Sequence, residues 1–533
     1  MRFVKRLLPM KPLGLAAAGL AAALLSACNS PAVADGKQGI VLAHAMTCCM
    51  VAVTFDASDS ERKNMDGPSY WRHPVGGAPA EMVKYLRDPV GAAREEIRLA
   101  KAAGIDGFGL FNNGCIKGPL QQFSRQTEAY WQAATEDGTF KLYPEIWTLD
   151  NESFIEGTAK EFAYLKEKYD GVWLRIDGKR VVMFAYQENP DVEKTIERVL
   201  APLGGREAVY VVIKTCPRAQ DYTDKFKRWS KPATDVWLRS ADAVIHWSGN
   251  TYGDELIDTP AMAAYAKAMG KELWLRAVPA EFLLRGNIGP FVWERLGMAG
   301  YYENWRNIIE QKPRVAYILT WNDNCEDSGV MADVNHGHAF LELTKYFSSW
   351  YKNGVPPAVG KEQVLMFHHP QLTERPMKLP EGCKPCVRHN GQSTPPTDYI
   401  GVVTMLKEEA VVKVELACGI YFETLAERKF PAGVNFWLIY HPLKSADDSA
   451  LKNADEVNVP DPYVAPVYPA ERSDFFVTKL PEALKPREVY LSVARGGKQA
   501  GYFRSQRAID GAAAKANLCT IGDVFELEDA KTK

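Results

Sequence analysis

The chain has 533 residues, of which 46% are hydrophobic and 24% charged, and its formal net charge is −2. That balance excludes a disordered polyelectrolyte and offers no basic footprint for nucleic acid or an anionic membrane surface. The length allows one large buried core or two. Thirteen Trp, 23 Tyr and 22 Phe are a generous aromatic supply. Sugar rings stack on such faces, but cores use them as well.

The start reads as a targeting segment. Arg2, Lys5 and Arg6 precede an Ala- and Leu-rich run from Leu13 to Leu25 that is too short for a spanning helix. Leu25-Ser26-Ala27-Cys28 resembles a bacterial lipobox, which implies removal of residues 1–27 and lipid on Cys28. Residues 28–39 are small and polar and read as a tether. Asn29 after the cysteine resembles Gram-negative lipoproteins of the outer membrane, so the expected location is outside the cytoplasm, with the membrane met through the lipid alone.

From Ile40 onward, β-rich runs alternate with amphipathic stretches. The expected strands are Ile40–Met46, Ile105–Phe111, Phe140–Trp147, Val181–Tyr186, Val209–Lys214, Ala243–Trp247, Leu273–Val278 and Val315–Thr320. The expected helices are Gly91–Ala103, Pro119–Thr135, Phe154–Tyr169, Asp191–Leu203, Tyr222–Trp229, Thr259–Met269, Phe291–Glu310 and His336–Lys352. Eight such pairs predict an α/β fold, a (β/α)8 TIM barrel over residues 40–357. Thr47–Asp88 is a long insertion after the first strand, placed to rise from the catalytic face. After Gly354-Val355-Pro356-Pro357 the pattern turns to alternation: Ile400–Leu406, Val411–Leu416, Val434–Tyr440, Phe475–Leu480 and Val489–Val493. Residues 358–533 therefore read as a C-terminal all-β sandwich, packing against the barrel or binding sugar.

Parallel barrels carry their chemistry at strand C-termini. Those ends hold His44, Asn112, Asn113, Glu145, Asp150, Tyr186, Glu188, Lys214, His246, Trp247, Trp321, Asn322, Asp323 and Glu326. The stretch Arg314–Asp327 runs from an apolar strand straight into an aromatic, amides and carboxylates, which does not suit a core. Carboxylates, amides, histidines and tryptophans around one rim make a sugar-type site. Glycoside hydrolysis needs one acid to protonate the leaving oxygen and one carboxylate to activate water or attack carbon. Ile176-Asp177-Gly178-Lys179 reads as a hairpin turn. His336 and His338 read as surface or capping residues.

Ten cysteines are present. The lone Cys383-x-x-Cys386 is a weak metal or redox signal, and a disulfide among Cys383, Cys386, Cys418 and Cys519 suits an oxidising compartment better. A bridge from Cys48 or Cys49 to Cys325 is a further option. No ligand spacing supports zinc at His44 and His246, and neither metal nor cofactor is expected.

The motifs also resemble a family. Val41-Leu42-Ala43-His44-Ala45-Met46, Ala100 to Leu110, Tyr317 to Asp327, and the later Tyr399 to Glu408 and Pro431 to Phe436 are similar to glycoside hydrolase family 71, the α-1,3-glucanases or mutanases. The family pattern T-W-N-D-Y-G-E-S aligns with Trp321, Asn322, Asp323 and Glu326; Asn324-Cys325 replaces its Tyr-Gly and Asp327 its Ser. The resemblance implies a barrel with a β-sandwich that hydrolyses α-glucan, most directly at α-1,3 linkages, with inversion. Asp323 and Glu326 would be the catalytic pair, in either order as acid and base. His44, Asn112, Glu145, Asp150, His246, Trp247, Trp321 and Asn322 would bind the polysaccharide or oligosaccharide substrate. Two alternatives stand beside it: a surface glycan-binding lipoprotein without hydrolysis, and a hydrolase of another α-glycan such as α-mannan.

Overall fold

The computed structural model describes residues 39–50, 84–85, 87–112, 114–147, 149–185, 192–215, 239–247, 263–264, 266–279, 281–285, 289–293, 296, 298–323, 328–333, 335–370, 372, 398–441, 470–509 and 521–527. The targeting segment, Cys28, the Tyr222–Trp229 helix and Glu326 lie outside them.

Eight parallel strands form the first unit: β1 (Ile40–Ala45), β2 (Gly107–Asn112), β3 (Lys141–Ile146), β4 (Lys179–Ala185), β5 (Val209–Thr215), β6 (Ala243–His246), β7 (Glu272–Ala277) and β8 (Val315–Ile318). Each pairs with its neighbours in sequence, and β1 pairs with β8, so the sheet is a closed barrel. Both faces of these strands are covered, which is why they read as unbroken apolar runs.

Helices α1 (Pro89–Ala102), α2 (Ser124–Asp137), α3 (Glu152–Tyr169), α4 (Val192–Leu200), α5 (Met298–Gln311) and α6 (Ala339–Asn353) surround it. Their limits follow local chemistry. Asp88 caps α1 by accepting from Gly91 N at 2.9 Å, with Pro89 in the first turn. Asn151 caps α3 by accepting from Phe154 N at 3.1 Å. Gly354 closes α6 at φ 73°, a left-handed backbone that costs glycine nothing. The Asp177-Gly178 turn joins the short arm Arg175–Ile176 to the start of β4, and Asp177 also receives Arg314 at 2.6 Å.

The expected helix Phe291–Glu310 is corrected at its start. Gly289–Trp293 pairs antiparallel with Glu281–Arg285, and α5 begins only at Met298. The pairing with Glu281–Arg285 makes the start of that stretch a strand.

The second unit has two sheets. One orders as β14 (Phe475–Lys479), β13 (Gly433–Tyr440), β10 (Tyr399–Leu406), β9 (Gln363–His368) and β17 (Ile521–Glu526). The other orders as β12 (Tyr421–Phe430), β11 (Ala410–Cys418), β15 (Glu488–Arg495) and β16 (Lys498–Arg504). The five-stranded sheet is buried on both sides. Val364, Met366, Ile400, Val402, Trp437 and Ile439 enter the core between the sheets, while Leu365, Phe367, Val403, Phe436 and Leu438 join the barrel's core. Phe436 packs on Tyr302 of α5 at 5.7 Å and on Phe475 at 4.7 Å. Beside them Asp474 accepts from Tyr302 Oη at 3.1 Å and pairs with Arg306.

Truncating this shared contact tests it. Phe436→Ala should lower unfolding stability by about 3–5 kcal/mol, read as a lower urea midpoint, with barrel and sandwich probes shifting together.

Candidate active site

The C-terminal mouth of the barrel is organised by one carboxylate. Tyr143 and Glu145 lie two apart on β3 and so face the same side. Glu145 Oε2 accepts from His44 Nδ1 at 2.6 Å, and Oε1 accepts from Tyr317 Oη at 2.6 Å and Tyr143 Oη at 3.0 Å. Gly109 on β2 supplies the room: a Cβ there would meet Glu145 Oε1 at 1.7 Å. Trp274 closes the floor, 6.2 Å from Tyr143 and 6.4 Å from Tyr317.

Burial works against the Glu145 charge, yet His44, Lys214 and the Tyr317 hydroxyl outweigh it and hold its pKa below the usual value. His44 moves down too, because burial outweighs the attraction of Glu145. The Nδ1 side of the ring faces the carboxylate, leaving Nε2 3.2 Å from Met46 Sδ. Tyr143 and Tyr317 are pushed well up, by burial first and Glu145 second, and remain donors.

Above this network stand two indoles. Lys214 Nζ lies 2.9 Å from the ring centroid of Trp247 and 4.3 Å from that of Trp147, a cation held between π faces. Trp247 meets the His44 ring edge-on at 5.3 Å, and its carbonyl accepts from Arg276 at 2.9 Å. Trp147 is 44% exposed at the rim.

The loop after β8 locks onto the end of β1. Trp321 N donates to His44 O at 2.6 Å, and Asn322 brackets Met46, accepting from its N at 2.8 Å and donating to its O at 3.2 Å. This corrects two expected roles. The Trp321 side chain is fully buried and donates from Nε1 to Glu96 on α1 at 2.9 Å, so it faces the helical layer and offers no sugar platform. Asn322 is equally buried and positions the backbone next to His44.

Asn112 is corrected likewise. It is buried, donates to Glu161 of α3 and accepts from Cys115 N at 3.1 Å, which fixes the loop after β2 and leaves no side-chain surface for substrate. Asp323 lies at the mouth, 6% exposed, with its N donating to Thr320 Oγ1 at 2.9 Å and its O accepting from Ser328 N at 3.2 Å. Asp150 is exposed and accepts from Asn151 at 2.9 Å. His246 ends β6, with its side chain outside the described set, as are Asn113, Tyr186 and Glu188.

His336 is not a surface residue: it is buried and its Nδ1 lies 3.0 Å from Asp333 Oδ2. Cys48, Cys49, Cys115 and Cys418 are thiols and not half-cystines; Cys325, Cys383, Cys386 and Cys519 lie outside the described residues. Among the described residues no group of His, Cys, Asp and Glu is placed to hold a metal ion.

Tyr143 and Tyr317 were missed as site residues. The Y-x-E spacing on β3 was the available signal for the first. Tyr317 sits inside an apolar run and read as core.

This architecture and site place the chain among the (β/α)8-barrel proteins that carry their chemistry at the strand C-termini. A model of Glycosyl hydrolase family 71 matches residues 87–441. The chain belongs to that family. It is 24% identical over 305 residues to the glucan endo-1,3-alpha-glucosidase agn1 of Schizosaccharomyces pombe, across 52% of this chain and 66% of that protein, so it spans just under two thirds of that relative. Among solved structures, it is similar to the GH99 endo-alpha-mannosidase of a Bacteroides species (13% identity, TM-score 0.41, 59% of this chain and 97% of that one). It is also similar to a class V chitinase from Pseudomonas fluorescens Pf-5 (10% identity, TM-score 0.31, 57% and 99%).

Two further carboxylates give the molecule a pH signature. Burial pushes Glu96 and Glu161 up to about 7, against the hydrogen bonds from Tyr130 and Trp321 to the first and from Ile116 N and Asn112 to the second. A carboxyl raised on folding contributes stability that is fully present below its unfolded value and lost as pH rises through the folded one. Glu96→Gln should therefore flatten the fall in melting temperature between pH 5 and pH 8, read by thermal unfolding across that range.

Proposed function

We propose that this protein is an α-glucan hydrolase that cleaves α-1,3-glucosidic linkages with inversion, using Asp323 and Glu326 as the acid/base pair. The observation that carries the reading is the buried Glu145 at the barrel mouth, held by His44, Tyr143 and Tyr317 beside Lys214, Trp147 and Trp247. Family membership and the glucanase relative support the same substrate class. A sugar with an apolar face and a hydroxyl rim fits indole planes beside charged hydrogen-bonding groups. The fixed negative charge of Glu145 favours the positive charge that develops on the anomeric centre as the glycosidic bond breaks.

In this scheme one acid of the pair protonates the leaving oxygen and the other removes a proton from the attacking water. Inversion sets the two carboxyls about 6.5–9.5 Å apart, leaving room for that water. His44 keeps Glu145 oriented and its pKa low, and Trp321 and Asn322 hold His44 through the backbone. The reading is tested by reducing-sugar release from insoluble α-1,3-glucan. Asp323→Asn and Glu326→Gln should each lower turnover by about 10³-fold or more, and Glu145→Gln by about 10²-fold. Near-normal turnover in both pair variants would remove them from the mechanism. Glycan adsorption by the wild type without any release would point to a binding protein.

Cys28 is proposed as a lipid attachment site that places the protein in the outer membrane. Cys28→Ser should shift the protein from the membrane fraction to the soluble fraction and abolish incorporation of labelled fatty acid. Unchanged fractionation and labelling would sink this assignment.

A further inference from the structure

The sandwich's four-stranded sheet carries an aromatic stripe on its outer face. Val412, Val414, Leu416, Leu491 and Val493 point into the core between the sheets, so the alternate residues face outward. Most of these are polar or charged, as a solvated face requires: Lys413, Glu415, Thr424, Ser492 and Arg504. Three are not. Phe422 on β12, Tyr490 on β15 and Tyr502 on β16 form one row across the strands.

Pairing explains the row. Ala417 on β11 lies opposite both Phe422 and Glu488, and its small side chain lets Phe422 reach Tyr490, edge-on at 5.3 Å. Tyr502 sits opposite Ser492, diagonal to Tyr490, and the two rings stack at 5.5 Å and 26°. Phe422 is 51% and Tyr502 43% exposed. These rings do not serve the core, which lies on the other side of the sheet.

Charged groups line the row. Glu488 accepts from Tyr490 Oη at 2.9 Å and pairs with Arg504 at 2.5 Å, while Lys413 pairs with Glu415 at 2.8 Å. A purely apolar patch would suit a protein partner. Ring faces alternating with ionic donors and acceptors suit a ligand with apolar C–H faces and a hydroxyl rim, repeated along a line.

We propose that Phe422, Tyr490 and Tyr502 form a second glycan-binding surface that holds a polymeric α-glucan chain remote from the barrel mouth. It rests on the function proposed above for its choice of glucan. Its role is adsorption: the row keeps the enzyme on an insoluble polymer and contributes nothing to the bond-breaking step.

The test uses the mature chain, its Tyr490→Ala/Tyr502→Ala double variant, and Tyr502→Ser alone in case the double variant loses its thermal transition. Adsorption is measured by depletion on insoluble α-1,3-glucan, with α-mannan, cellulose and chitin in parallel, beside turnover of a soluble α-1,3-linked oligosaccharide. The double variant should adsorb about tenfold more weakly, equivalent to about 1.4 kcal/mol, with soluble turnover unchanged. Unchanged adsorption, or no wild-type adsorption to any of the four polymers, overturns the proposal even if the oligosaccharide is cleaved. Concentration-dependent dimerisation that the variants abolish without any change in adsorption also overturns it, in favour of a self-association surface. Ring-dependent adsorption with no cleavage of any substrate upholds the surface and removes the hydrolase reading.

Discussion

An ionised carboxylate inside a barrel is the constraint on which the rest of this structure depends. Moving such a group out of water is costly unless hydrogen bonds and opposite charge replace the lost hydration. Here tyrosines from β3 and β8, a histidine ring and a nearby lysine supply that replacement. Each of these comes from a different strand, so the charge is satisfied away from water only once the barrel has closed. Gly109 belongs to the same arrangement, because its missing side chain is the space the carboxylate occupies.

The other buried carboxylates do different work. Glu96 and Glu161 stand on helices outside the sheet and reach inward to loop groups: Trp321 and Asn322 for one, Asn112 and Ile116 for the other. They hold the polar strand ends from behind, so the amides and indole that face them are lost to the cleft. Burial raises their pKa values, against the hydrogen bonds they accept. Glu145, flanked by His44 and Lys214, moves the other way. Similar burial with different neighbours therefore yields opposite pKa shifts.

The sandwich is bound to the barrel through a sheet with two apolar faces. One face builds its own core and the other completes the barrel's helical layer, so the two units share hydrophobic stabilisation across Tyr302, Phe436 and Phe475. Among the described residues nothing covers the outer face of the four-stranded sheet, and the aromatic row stands there.

The sequence alone determined the eight barrel strands, since a strand buried on both sides must be apolar throughout and the intervening stretches carry helical periodicity. It also marked the strand ends where polar residues gather, because groups such as His44, Glu145 and Asp323 have no place in a core unless something there meets their charge. Which of those residues share one space was decided by the tertiary structure. Trp321 and Asn322 follow β8, and Asn112 and Glu145 lie at the ends of β2 and β3, yet the first three turn toward α1 and α3, where buried carboxylates await them. Tyr317 looks like core in an apolar run, and only closure of β8 beside β1 brings its hydroxyl to Glu145. Chain order sets which face a side chain takes, whereas the partner that satisfies a buried polar group is fixed by strands distant in sequence meeting around one axis.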